Sequence, residues 1–379
     1  HESSGRGLGS TIGIGKGTVS LEDFNRAEAI FVIGQNPGTN HPRMLSALEL
    51  AKKNGCKIVS INPLLERGLE RFGHPQKPTA LLGASTSISD LYLQVRINGD
   101  VALLKGLMKI ILEREAKAPG TVLDHQFIDD HTVYFDDFKK ALEAQDFGPL
   151  EEQSGIARAD MERLADIYIA SNATIVCWAM GLTQHKNSVA NIQEVVDLLL
   201  VRGNLGKPGA GACPVRGHSN VQGDRSVGIM HYVNKGLNER IKKHLGFVPP
   251  DKEGVDTVEA IKAMHEGKAK VFMCLGGNFL MAASDTEYTA EALQKCELTV
   301  QISTKLNRTH LVTGRTALIL PTLGRSEKDM KGGKQRYFTV ENSMGRVTRS
   351  KGLLKPASES LKSEPELIAE MADTYFKGK

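Results

Sequence analysis

Short apolar runs alternate with longer stretches of helical periodicity along much of the chain. Ala29–Ile33 is an unbroken apolar run followed by a Gly-Gln-Asn-Pro-Gly turn, which predicts a strand and its exit. Over 42–54 apolar residues recur at Leu45, Leu48 and Ala51, Lys52 and Lys53 occupy the last turn, and Gly55 closes the segment, so a helix is expected there. Lys57–Ile61 predicts the next strand, and one strand–helix–strand unit of this kind implies parallel pairing. The alternation recurs as helices over 103–115, 160–171 and 188–201, with a strand at Thr174–Trp178. Beyond these, strands are expected at 270–275, 297–302 and 316–320, with a helix at 287–295.

This order predicts an α/β fold of two doubly wound, mostly parallel-sheet domains. Residues 1–217 are expected to form the first domain and 218–349 the second, with 350–379 a polar linker and terminal helix. New strand–helix units begin past 217, which sets the boundary there.

Length and composition agree. The 379 residues suffice for two or three domains with a sizeable core, and 40% apolar with 24% charged residues is ordinary for a globular protein. A formal charge of +4 and 5% aromatics leave neither a phosphate-tracking stripe nor base-stacking platforms, so nucleic acid is not an expected partner. No apolar run reaches the roughly 18 residues a membrane span needs. Five cysteines, with no C-x-x-C pair, supply neither an iron–sulfur cluster nor a zinc site and favour buried reduced thiols in a reducing compartment, expected to be the cytoplasm.

Chemistry concentrates in two places. Residues 202–225 pack six glycines, two prolines and three arginines beside Asn, Gln and Ser, a composition suited to wrapping a large polar ligand. The strand exits are the other: Gly34 to His41, Asn62 and Pro63, Trp178 to His185, Gly276 to Phe279, and Ser303 with Thr304 are rich in neutral hydrogen-bonding groups. Any one exit reads as an ordinary turn. Five of like chemistry, at the strand ends where open α/β sheets bind ligands, point to one long nucleotide-like ligand or two.

A nicotinamide dehydrogenase fits poorly, because Gly13-Ile14-Gly15-Lys16-Gly17 precedes the first strand and Asn62 stands where that fingerprint needs an acid. A noncatalytic α/β nucleotide-binding protein is the other competing reading. His125, Asp129, Asp130 and His131 suggest a solvated helix start rather than a metal cluster. Arg216, a permanent cation among glycines, suits either capture of a small carboxylate or oxyanion or a clamp with no role in turnover.

The stretches 29–42, 178–185, 203–223 and 320–329 resemble the molybdopterin oxidoreductase family, specifically formate-dehydrogenase-like alpha subunits and the oxidoreductase branch associated with acid resistance. The most specific segment is Pro-Val-Arg-Gly-His-Ser-Asn-Val-Gln-Gly at 214–223. The resemblance implies the central domains of the formate dehydrogenase and DMSO reductase fold, with molybdenum or tungsten held by two molybdopterin guanine dinucleotides and two-electron chemistry on a small oxyanion. By position it implies that Gly34, Gln35, Asn36, Asn40, His41, Asn62 and Pro63 hold one guanine dinucleotide. Asn98, Gly99 and Asp100 match the next contact segment, where an acid accepts from the guanine edge. Met180, Gly181 and Gln184 would lie near a pterin. Gly276, Asn278, Ser303, Thr304 and Lys328 match contacts of the second nucleotide.

The resemblance also implies catalytic roles for His1, as proton acceptor or electrostatic partner, and for Arg216, orienting the substrate on the metal's substrate side. It places the metal ligand, Cys or selenocysteine, just before His1, so no metal-ligating residue is assigned within the chain. The chain is then an internal fragment, encoding no iron–sulfur cluster and expected to be inactive alone. His218 stands where formate dehydrogenases carry Gln, so a small oxyanion is implied rather than formate in particular. Electron acceptor and redox partner carry no signal.

Overall fold

The computed structural model describes residues 2–230 and 232–377. The chain divides into two compact units. One runs to Gln222 and includes the short segment Glu341–Arg346; the other comprises Gly223–Val340 and the chain from Val347 on.

The first unit is built on a parallel five-stranded sheet. Its strands are β1 (Ala29–Ile33), β2 (Lys57–Ile61), β3 (Leu91–Leu93), β4 (Thr174–Trp178) and β5 (Gly211–Pro214), in the spatial order β3-β2-β1-β4-β5. All five residues of β1 are buried, because a central parallel strand is covered on both faces, and this explains its unbroken apolar run. Side chains alternate between two cores. Ala29, Phe31 and Ile33 join one apolar cluster, Ile30 and Val32 the other. The first cluster receives α1 (Glu2–Ile12), α3 (Asp100–Lys117), α4 (Arg158–Ala170) and α5 (Ser188–Leu200); the second receives α2 (Pro42–Lys53) through Leu45, Leu48 and Ala51. Helices on both faces make the unit doubly wound. Each fully buried Phe31, Ile58 or Leu48 contributes about 1.5–3 kcal/mol relative to exposure.

Among the elements that the chain's pattern did not show, three belong to the first sheet or to the helices packed on it. Helix α1 carries Gly5, Gly7 and Gly9, each of which weakens a helix by about 1 kcal/mol relative to Ala. It forms because it packs on α5: Leu8 is fully buried, and a Cβ on Gly7 would fall 2.6 Å from Ile192 Cβ. The second is β3, three residues long. The third is β5, inside the glycine-rich segment that composition presents as one loop. Its Gly and Pro are weak strand formers, and it exists as an edge strand, where such residues are tolerated. It pairs with β4 on one side, while on the other Thr18 donates its N–H to the Ala212 carbonyl and accepts the Ala212 N–H at Oγ1.

The second unit carries a parallel three-stranded sheet in the order β8-β7-β6, from β6 (Val271–Leu275), β7 (Leu298–Ser303) and β8 (Thr316–Pro321). Helices α6 (Thr257–His265) and α7 (Thr286–Gln294) enclose a small core around Met264, Ala292, Leu293 and Cys296. The terminal helix α8 (Glu364–Phe376) is held by Arg336, which pairs with both Asp329 and Glu366. Among the described residues no helix is long and apolar enough to cross a membrane.

Candidate functional site

In the first sheet the connections run in opposite directions from β1 and β4, which are neighbours, so their carboxyl ends diverge and leave a crevice. A cleft of about 630 Å³ lies there. The exit of β1 contributes Gly34, Gln35, Asn36, Asn40 and His41; that of β2 contributes Asn62, Pro63 and Glu66. Ile97 and Asn98 lie in the turn before α3, and Asp100 opens that helix. Ala179, Met180, Gly181, Gln184 and His185 follow β4, and Val215, Gly217 and His218 follow β5.

Backbone contact sets the floor of this cleft. Gly34 has φ of 59°, and a Cβ built on it would lie 2.9 Å from Gly181 Cα; a Cβ on Gly181 would lie 2.5 Å from Gly34 Cα. The two exits therefore cross where neither tolerates a side chain, and the Gly181 N–H donates to the Gly34 carbonyl at 3.0 Å. Asn62 braces the next turn by donating Nδ2 to the Gln35 carbonyl at 2.7 Å, and Asn36 Nδ2 donates to Glu66. His41 Nε2 donates to the Arg216 carbonyl at 2.8 Å, linking the first exit to the last.

Two features leave the cleft ready for a polar ligand. Gln35 is 3% exposed, its Nε2 rests on Met44 Sδ, and its Oε1 is buried without a hydrogen-bond partner among the described residues. A buried carbonyl oxygen left so costs about 1–3 kcal/mol unless a donor reaches it. Asp100 is 5% exposed in the first turn of α3. Burial pushes its carboxyl up to about 6, against the lowering effects of its own backbone N–H and of His185. An acid held near neutrality beside the positive end of a long helix suits acceptance of N–H donors from a heterocycle edge.

The cleft brings together twelve of the residues singled out from sequence: Gly34, Gln35, Asn36, Asn40, His41, Asn62, Pro63, Asn98, Asp100, Met180, Gly181 and Gln184. Gly99 caps α3 beside them, its N–H bonded to the Arg96 carbonyl. Arg216 does not line the cleft; its Nη2 donates to the Gly15 carbonyl at 3.0 Å while its neighbours Val215 and Gly217 form the wall. His1 lies outside the described residues. In the second unit Gly276, Asn278, Ser303 and Thr304 stand together at the carboxyl ends of β6 and β7, where Gly276 N–H donates to the Ile302 carbonyl and Asn278 Oδ1 accepts from Thr309. Lys328 follows β8 in the chain, its N–H bonded to the Leu354 carbonyl.

Of the other lining residues, Ala179 and His185 lie in a strand exit and Val215, Gly217 and His218 in the glycine-rich segment that the sequence marks, whereas sequence reasoning passed over Glu66 and Ile97. Glu66 and Ile97 carry no signal, being loop residues brought in by the turns after β2 and before α3. His125 instead pairs with Glu115 at 2.8 Å, and among the described residues no group of three or more His, Cys, Asp or Glu is placed to hold a metal ion.

A family model described as molybdopterin oxidoreductase matches residues 10–370. An uncharacterized oxidoreductase of Mycobacterium tuberculosis is 49% identical over 376 residues, 99% of this chain and 48% of that protein. Protein YdeP of Escherichia coli K12 is 46% identical over 377 residues, 98% of this chain and 50% of its own. An F420-dependent formate dehydrogenase subunit alpha of Methanococcus maripaludis is 28% identical over 334 residues, 87% of this chain and 46% of that subunit. The chain thus spans about half the length of these relatives. In fold it is similar to acetylene hydratase from Pelobacter acetylenicus, with a TM-score of 0.66 at 19% identity, covering 100% of this chain and 51% of that one.

Proposed function

The chain belongs to the molybdopterin oxidoreductase family, and on that premise we propose that it forms the cofactor-binding centre of a cytoplasmic, formate-dehydrogenase-like enzyme acting on a small oxyanion. The family implies a molybdopterin cofactor with molybdenum or tungsten. The guanine dinucleotide form, two per metal, is part of the proposal. When bound, the group supplies two-electron exchange with transfer of an oxygen atom or a hydride equivalent.

The chain's residues then bind and orient. Gln35 Oε1 accepts a ligand N–H, Asn36, Asn40, His41, Asn62 and Asn98 offer amide and imidazole groups to phosphate and ribose, and Asp100 accepts from the guanine edge. Met180, Gly181 and Gln184 border the pterin, with Gly34 and Gly181 keeping the floor flat enough for close approach. Gly276, Asn278, Ser303, Thr304 and Lys328 serve the second nucleotide. Arg216 orients the oxyanion and His1 takes up a proton. The alpha subunit of a formate dehydrogenase among the relatives favours this substrate class.

The observation that carries the reading is the cleft at the carboxyl ends of β1, β2 and β4, where neutral donors, a Gln35 oxygen with no partner among the described residues, and Asp100 converge. Metal analysis of the complete protein tests it, together with pterin fluorescence after oxidation and GMP release on acid hydrolysis. Molybdenum or tungsten near one per protein, with two GMP per metal, is expected. Metal far below one per protein without pterin fluorescence refutes the reading, and pterin without GMP refutes the dinucleotide form.

A further inference from the structure

Two thiols meet where β4 and β5 run side by side. Cys177 and Cys213 are register partners in this parallel pair, so both side chains leave the sheet on one face. Their backbones are one inter-strand spacing apart, about 4.8 Å. Disulfides bridge Cα separations of roughly 4.4–6.8 Å. Cys177 is a buried member of the apolar cluster on that face, and Cys213 packs against the same cluster. Cys177 is fully buried and Cys213 is half-buried. The partner that must move to close a bond lies on the edge strand, only four residues long and entered through Gly211, while Cys177 is fixed in the adjoining inner strand.

We propose that Cys177 and Cys213 form a redox modification site, converted by a peroxide-class oxidant from a dithiol to an intramolecular disulfide. The Cys213 sulfur, as thiolate, attacks one oxygen of hydrogen peroxide; the O–O bond breaks, and the departing hydroxide takes up a proton as water. The Cys177 sulfur then attacks the resulting sulfenic acid, the S–O bond breaks, and a second water leaves with the Cys177 proton. The thiol pair gives up two electrons, and one peroxide is reduced to two waters.

The order of events follows from exposure. Burial, reinforced by the adjacent thiol, raises Cys177 well above the usual thiol range, so it stays protonated and unattacked until a sulfenic acid forms against it. Cys213 is the thiol an oxidant reaches. Cys56 belongs to the same apolar cluster but lies on neither strand and is buried. Cys274 and Cys296 belong to the other unit. A bond at this place would tie the chain leading to Val215, Gly217 and His218 to β4, stiffening one wall of the cleft.

The test treats the full-length protein with one equivalent of hydrogen peroxide, counts thiols under denaturing conditions with a chromogenic disulfide reagent, and maps linkages by peptide mass spectrometry. Titratable thiols within this chain should fall from five to three, with Cys177 and Cys213 in one linked peptide pair and full recovery after dithiothreitol. Cys213→Ser should abolish the loss, and Cys274→Ser should leave the linkage unchanged. The proposal is overturned by Cys213 recovered as sulfinic or sulfonic acid beside a free Cys177, by a linkage of any other pair, or by no change in thiol count. The map on unsubstituted protein decides the matter without either variant.

Discussion

Replacing Asp100 with Asn removes a buried carboxyl from the cleft while keeping its shape. The folded value, about 6, lies above the ordinary 3.8, so the native state holds the proton more tightly than the unfolded chain does. The stabilisation is complete below about pH 3.8 and is lost as pH rises through 6. The gap of about 2 pH units corresponds to about 3 kcal/mol in all, at about 1.36 kcal/mol per unit. About 1.4 kcal/mol of it is lost between pH 5 and 8, a range in which most domains remain folded. The carboxamide of the variant cannot ionise, so its stability relative to wild type should rise by that amount across this interval. With unfolding entropies of about 2.1 cal/mol/K per residue, the difference in Tm should widen by about 2–3 °C in favour of Asp100→Asn between pH 5 and 8. Thermal unfolding of both proteins by circular dichroism at pH 5, 6, 7 and 8 provides the comparison. Glu194 and Asp197, also raised by burial, to about 7 and about 6, titrate alike in both proteins and cancel in the difference. Parallel Tm profiles for the two proteins would refute the claim that Asp100 is held desolvated in the cleft.

Other outcomes follow from the same geometry. In α1, Gly5→Ala meets open space and should stabilise by about 0.5–1 kcal/mol, whereas Gly7→Ala collides with Ile192 and should destabilise by about 1–3 kcal/mol, a sign difference readable by urea denaturation. Gly181→Ala drives a Cβ into the Gly34 backbone and should cost about 3 kcal/mol together with loss of bound metal and pterin; an unchanged Tm with full metal content would show that the two exits can part. Arg216→Ala in the full-length protein should abolish turnover of a small oxyanion with metal content intact, and loss of metal instead would make Arg216 a cofactor clamp.

The pattern of apolar runs located the principal strands and their helices because a parallel strand covered on both faces has no choice but continuous apolar sequence. Ala29–Ile33 and Thr174–Trp178 are legible for that reason. What the pattern missed is held by partners instead of by propensity: α1 by the groove along α5, and β5 by β4 and Thr18. The glycine-rich segment itself changes meaning on folding, since part of it is edge strand and only the part after Pro214 lines the cleft.

The sequence by itself determined the fold class, the polar composition of the strand exits and the family, because hydrophobic periodicity, turn composition and a local motif are properties of neighbouring residues. Only the tertiary structure decided that Gly34 and Gly181 touch, that Gln35 Oε1 is left without a partner among the described residues, that the Arg216 side chain turns to Gly15, and that Cys177 faces Cys213. Each of these joins segments about ten to two hundred residues apart through strand order and register, which depend on how whole elements pack.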